Sequence, residues 1–391
     1  MDLTKLNKIL PSIIEIKDFD SIEIGSHFIL ASGFEDRSRG FLERLVAAKS
    51  FGNKLSKVSV INYLPVNENN ERNRVEISKL LARLGVAAIN IGEYVFDREH
   101  PLDFDNDLDN LMGSIDQESH VYVDISSMSK LLILYILDRL WMKGNAFSVI
   151  YSEAAKYAPT EQEYLDSFRK GDFGQELLIE LQSVGAFEPI IPSQFSGSTP
   201  MGGSRALVDF LGFNKRQSIG VAAIVPYQFF IPIISVPPSN ELRWRQEALI
   251  TINDIGLVPS GKRIHDLGTI KVENDDFSKV KEGEYQIHVS TFDYKKTVET
   301  LLWIYEAHKF SHYLTIAPFG SKMQSLGIFI FTRLHPETQI VYASPKDFHA
   351  QYTEGVKAIY EIRFKNSLEL EKNIMASIDS NSKVLENILK K

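Results

Sequence analysis

The 391-residue chain contains no cysteine. That absence removes disulfides, thiolate zinc sites, iron–sulfur clusters and cysteine nucleophiles together. Long hydrophobic runs are missing too: the longest apolar stretch, Leu131 to Leu137, is far short of the roughly 20 residues a membrane helix needs. The first 25 residues alternate charged and apolar side chains and offer no apolar core for a signal peptide. Positive charge is in deficit, with 43 Lys+Arg against 51 Asp+Glu and a formal net charge of -8. This argues against a general nucleic-acid coating but leaves room for a local basic cleft. A cytoplasmic protein with no membrane partner is expected. What is present is ordinary for a globular chain: 44% hydrophobic residues, and a length that suits two or three domains.

The first third alternates strand-like and helix-like segments. Apolar runs at His27 to Ser32, Lys57 to Leu64, Val86 to Ile91, His120 to Ile125 and Ala146 to Tyr151 predict five strands. Between them, helical periodicity appears over Gly40 to Ser50, Asn73 to Leu84, Leu108 to Ile115 and Ser129 to Trp141. Strict alternation with near-continuous apolar strands indicates a parallel sheet covered on both faces. Thr160 to Val184 is polar and helical. Ser193 to Ser204, rich in Ser, Gly and Pro, reads as a linker or mobile loop.

Beyond the linker the signals return in the same order. Ala206 to Leu211 ends at Gly212 as the first strand ends at Gly33, and Gln228 to Val236 ends at a Pro-Pro pair as the second ends near Pro65. Tyr313 to Ala317 leads into a helix near Ser321, and Thr338 to Tyr342 matches Phe147 to Tyr151. The junction residues match as well. Gly33-Phe34-Glu35-Asp36-Arg37 corresponds to Gly212-Phe213-Asn214-Lys215-Arg216, Arg72 and Arg74 to Arg243 and Arg245, and Ser129-Lys130 to Ser321-Lys322. The expected fold is α/β: two tandem Rossmann-like, parallel-sheet domains from an internal duplication, with a C-terminal helix. The domains are placed at 1–154 and 206–366, joined by a helical connector and linker over 155–205. An amphipathic helix at 367–391 is able to dock a protein partner.

In open parallel sheets ligands bind beyond the carboxyl ends of the strands, where helix N-termini present free N–H groups. All the matched residues fall at those ends. Gly33 and Gly212 are expected to let the backbone turn sharply. Ser129-Lys130 and Gly320-Ser321-Lys322 place a hydroxyl and a lysine at a helix start, which suits phosphate or carboxylate. Arg37, Arg72, Arg74, Arg216, Arg243 and Arg245 add planar forks for bidentate phosphate contacts. For any one arginine, pairing with a nearby acid such as Glu71 or Glu241 is the simpler reading. For the repeated set an anion site is favoured.

A strand followed by small residues, Ser-Lys and a helix (VDISSMSK, TIAPFGSK), with a glycine after the first strand, resembles the CRISPR-associated Rossmann-fold (CARF-like) ligand-sensing domains. The resemblance implies a pair of such domains binding an oligonucleotide second messenger across the pair, both halves here lying in one chain. It implies a sensor or regulatory component of bacterial antiviral defence, with a nucleotide or other phosphorylated ligand in a basic cleft between the halves. The chain departs from such sensors in one respect: no R-x4-H ribonuclease pattern follows, and the tail is only a charged amphipathic helix.

The halves differ in charge. Glu35 and Asp36 stand opposite Asn214 and Lys215, and Asp124 stands opposite Ile316. Glu35, Asp36 and Asp124 are therefore candidates for a Mg²⁺-dependent nuclease or phosphodiesterase in the first half. The plainer expectation is that Asp124 caps the following helix and Glu35 pairs with Arg37 or Arg39. A scaffold whose half-sites have lost any ligand is the third reading. Other signals carry less. GLVPSGKR (256–263) has phosphate-loop spacing but lacks the final Ser/Thr and holds Pro259. Ser204 lies in no Gly-x-Ser-x-Gly elbow. His308 and His312 have no third ligand. Tyr151 and Tyr342 end strands where a base would stack, though tyrosines at such ends are more often core.

Overall fold

A computed structural model describes residues 3–48, 54–169, 183–198, 202–253, 287–348 and 353–389. It divides into two compact units, one formed by 1–158 with 350–391 and the other by 159–349.

The first unit contains β1 (Ile13–Glu15), β2 (Ser26–Ala31), β3 (Leu55–Leu64), β4 (Ile91–Asp97), β5 (Val121–Asp124) and β6 (Phe147–Tyr157). Its helices are α1 (Leu3–Ile9), α2 (Gly40–Ala47), α3 (Glu68–Arg83), α4 (Asp105–Ser114) and α5 (Lys130–Lys143). The second unit contains α6 (Glu161–Arg169), β7 (Ser183–Val184), β8 (Arg205–Phe210), α7 (Lys215–Ile224), β9 (Phe229–Val236) and α8 (Trp244–Asn253). It continues with β10 (Ile287–Ser290), α9 (Tyr294–His308), β11 (Tyr313–Ala317), α10 (Lys322–Leu334), β12 (Gln339–Ile340) and β13 (Asp347–Phe348). The chain then returns to the first unit as β14 (Thr353–Phe364) and α11 (Ser367–Leu389).

Five strands of the first sheet run parallel in the order β4-β3-β2-β5-β6, and the second sheet runs parallel as β10-β9-β8-β11-β12. Counted from each unit's first parallel strand, both orders are third, second, first, fourth, fifth. This is the Rossmann-like α/β arrangement, and it reverses direction between the first and fourth strands. The central strands explain why the sequence shows it: every residue of β2 and of β5 is buried. Strands covered on both faces need near-continuous apolar side chains. Leu131 to Leu137, too short for a membrane, is wholly buried in α5, which ends on Gly144 in the left-handed region at φ 81°. No helix among the described residues is long and apolar enough to cross a membrane.

The structure differs from the sequence reading in three places. The third strand of the first unit is Ile91–Asp97, not Val86 to Ile91. As the edge of its sheet it exposes Glu93 and Val95, so the apolar pattern points instead to Val86 to Ile91, where Val86 alone is buried and Ile89 lies exposed in a 3-10 turn. The last strand also lies elsewhere: β14, assigned from sequence to a domain over 206–366, pairs antiparallel with β6 from Phe364 opposite Phe147 to Thr353 opposite Tyr157. It covers an edge that β6 would otherwise leave open, and Phe364 stacks on Phe147 at 4.8 Å between ring centres. Finally, the Ser/Gly-rich segment is packed up to residue 198. Ser198 N donates to the Glu337 carbonyl, Gln339 Nε2 to the Ser196 carbonyl, and Gly197 lies against the 337–339 backbone at φ 66°. The start of α11 is anchored by Trp141, whose indole donates to Glu371 at 2.7 Å while the Ser367 hydroxyl donates to the Trp141 carbonyl at 3.1 Å.

Candidate functional site

The carboxyl edge of each sheet is built the same way. After the first parallel strand comes a glycine, neither of them in the left-handed region. The expected sharp turn is thus not what requires them. Each is required by a close approach to the loop after the fourth strand. A Cβ on Gly33 would lie 2.6 Å from the Cβ of Ser127, and one on Gly212 would lie 2.9 Å from the Phe319 carbonyl oxygen. Ser127 and Phe319 each precede the Ser-Lys lysine by three residues. The two loops therefore meet at the point where strand order reverses, which is where such sheets open a ligand crevice.

A buried asparagine holds each glycine loop. Asn73 on α3 donates to the carbonyls of Gly33 (2.7 Å) and Glu35 (3.1 Å). Asn253 at the end of α8 donates to the carbonyl of Gly212 (3.1 Å). Both are fully buried. By this contact Asn73 corresponds to Asn253, so the matched arginine pairs do not occupy equal positions: Arg72 and Arg74 lie within α3, whereas Arg243 precedes α8 and Arg245 is its second residue. Sequence reasoning missed both asparagines, because a single Asn among charged residues carries no pattern.

In the first unit the candidate arginines are matched by acids. Glu35 precedes the short 3-10 turn over 36–38 and takes the Nε of Arg37 at 2.7 Å, both side chains being buried. Thr353 Oγ1 donates to the same Glu35 oxygen at 2.7 Å, and Arg37 also reaches the Tyr151 hydroxyl at 3.3 Å. Burial opposes the Arg37 charge, but Glu35 more than offsets it and holds the guanidinium protonated. Asp36 lies 3.2 Å from Arg39 and 3.6 Å from Arg72. Arg74 meets Glu93 at 3.0 Å and Glu71 at 3.5 Å.

The second unit is different. Asn214 occupies the position of Glu35; its side chain accepts from Arg216 N and donates to Ser183 and the Gly185 carbonyl. Having no charge, Asn214 does not draw the Arg216 side chain inward, and that residue is exposed. Arg243 is exposed as well, and among the described residues neither forms an ion pair. Arg245 is buried, faces the rings of Phe213 (4.8 Å) and Trp244 (5.3 Å), and donates to the Pro159 carbonyl at 3.0 Å. The contacts it makes here belong to the fold.

The fourth crossover helices begin alike. Ser129 caps α5 by accepting from Leu132 N, and its own N–H donates to the Tyr63 hydroxyl at 2.7 Å. Ser321 caps α10 in a reciprocal box with Gln324, and its hydroxyl donates to the Thr291 carbonyl at 2.5 Å. Gln324 also meets Ser235 and the Val289 carbonyl, tying three strand ends together. Gly320 is needed there, since a Cβ would strike the Gln324 side chain. Lys130 and Lys322 stand half-buried at the first helical positions.

Two of the three acids considered for Mg²⁺ are already engaged by protein groups. Glu35 is engaged by Arg37 and Thr353, and Asp124 accepts from the N–H (2.9 Å) and hydroxyl of Ser126 as a loop cap. No group of three His, Asp or Glu side chains suited to a metal occurs among the described residues. His308 and His312 pack edge to face at 5.6 Å against Phe229. Tyr342 is buried, and Tyr151 serves Arg37. The 256–263 segment lies outside the described residues. One polar residue escaped the sequence reading altogether. Asp209, the second-last residue of the central strand β8, is fully buried beneath Ser218 and near Tyr227, and burial pushes its carboxyl up to about 7.

No family model matches the chain, and no curated protein matches it. Among solved structures, a Type III CRISPR defence DNA nuclease activated by cyclic oligoadenylate aligns with 78% of this chain at 11% identity and a TM-score of 0.41. The alignment spans 63% of that nuclease. The fold assignment rests on strand order and register, not on this likeness.

Proposed function

We propose that the chain binds a nucleotide or another phosphate-bearing ligand at the carboxyl edge of the second unit's sheet, and serves as a sensing component in bacterial antiviral defence. One observation carries the binding claim: Arg216 and Arg243, exposed after the neighbouring strands β8 and β9, have no carboxylate partner among the described residues. Unpaired guanidiniums are strong bidentate partners for phosphate. Lys215 and Lys322 begin helices at the same edge, where the helix dipoles add partial positive charge. The antiviral setting and the oligonucleotide class follow the resemblance of the strand-to-helix loops.

Calorimetric titration with ATP and with linear and cyclic oligoadenylates tests the proposal. A hydrogen bond to a charged group contributes roughly 1.5–3 kcal/mol, so Arg216→Ala and Arg243→Ala should each weaken binding about ten- to a hundredfold. Affinity should also fall with added salt. Absence of heat with every ligand, or equal heats in wild type and both variants, would reject the proposal.

A further inference from the structure

We infer that Asp36 acts as the first unit's own anion, bridging Arg39 and Arg72 where a ligand phosphate would otherwise bind and keeping the first edge silent. The inference rests on the reading of the second unit as ligand-binding. Glu35 and Asn214 occupy corresponding positions just before a helical turn, which only Asn214 caps with its side chain, and the residue after each begins the turn: Asp36 in one unit, Lys215 in the other. The substitution reverses charge at one position of a shared framework.

The surroundings follow that reversal. Asp36 Oδ1 lies 3.2 Å from Arg39 Nη2 and 3.6 Å from Arg72 Nη2, joining two guanidiniums from different elements. Arg39 is also held by Glu43 at 2.7 Å and by Asn73, so it is positioned without Asp36. For Arg72, Asp36 is the acid partner found among the described residues. A tethered carboxylate competes at a high effective concentration, so a free phosphate must displace it. Removing its charge should leave Arg72 and one edge of Arg39 open, much as Arg216 and Arg243 are open in the second unit.

Inorganic tripolyphosphate is the probe, in isothermal titration calorimetry on the full chain. Wild type should show one site, and Asp36→Asn two. In an Arg216→Ala/Arg243→Ala background, where the second-unit site is weakened, Asp36→Asn should raise affinity about tenfold, as expected for one half-exposed charge close to the probe. Asp36→Lys should raise it further, and adding Arg72→Ala should cancel the gain. Thermal unfolding of Asp36→Asn, at a half-exposed position, monitors folding. No site in the wild type overturns the reading of the second unit. One site in both wild type and Asp36→Asn overturns this inference alone, as do two sites already in the wild type.

Discussion

Asp209→Asn should remove a pH dependence built into the second unit. The carboxyl sits in the central strand, fully buried, with its ordinary value of 3.8 pushed up to about 7 by burial, against a smaller opposing effect from Ser218. In the unfolded chain it ionises near 4. The folded state therefore keeps a proton that the unfolded state has lost, and stability falls as pH rises. The contribution is fully present below about pH 4 and gone above about pH 7. A shift of about three units at 1.36 kcal/mol each amounts to about 4 kcal/mol, of which about 3 kcal/mol is lost between pH 5 and pH 8. That is a large fraction of a typical domain's stability. Asparagine keeps the size and polarity of the side chain but does not titrate. Urea unfolding of a Trp141→Phe background leaves Trp244 and Trp303, both in the second unit, as reporters. Its stability should drop across that pH range, and adding Asp209→Asn should flatten the drop. Equal pH slopes with and without Asp209→Asn would refute the reasoning.

The first unit should respond in the opposite direction. Burial is the main cause that lowers both His27 and His120 to about 4, so stability present above about pH 6.5 is lost as pH falls toward 4, by about 3 kcal/mol for each histidine. His27→Gln should reduce the loss, as read by Trp141 fluorescence in urea on a Trp244→Phe/Trp303→Phe background. Gly33→Ala and Gly212→Ala should each cost about 1–3 kcal/mol by forcing apart two loops already in contact; unchanged denaturation midpoints would contradict this. Asn73→Ala and Asn253→Ala should cost about 1–3 kcal/mol by leaving a glycine carbonyl unpaired, with faster amide exchange in the adjoining loops.

The sequence revealed the sheets best where burial is complete on both faces. β2, β5, β8 and β11 stand within a residue or two of their expected bounds, because a central parallel strand tolerates little polarity. β4 was misplaced because an edge strand alternates. β14 was misassigned because nothing local to Thr353–Phe364 encodes a return to β6. At the candidate site, the placement of Ser129 and Ser321 at helix starts is legible from the pattern, but the use of their hydroxyls as caps is not. The reason for Gly33 and Gly212 is not legible either, since it lies in a loop about a hundred residues away in sequence. Nor could one sequence distinguish arginines already matched by acids, such as Arg37 and Arg74, from exposed ones such as Arg216 and Arg243. That distinction depends on which carboxylates the fold brings near.

Hydrogen exchange measured by mass spectrometry, with and without saturating cyclic oligoadenylate or ATP, tests the central claim most directly. Protection should appear in peptides covering Gly212 to Arg216, Glu241 to Arg245 and Gly320 to Gln324, and be absent over Gly33 to Arg39. Protection confined to the first unit, or a ligand-independent exchange pattern throughout, would contradict the account.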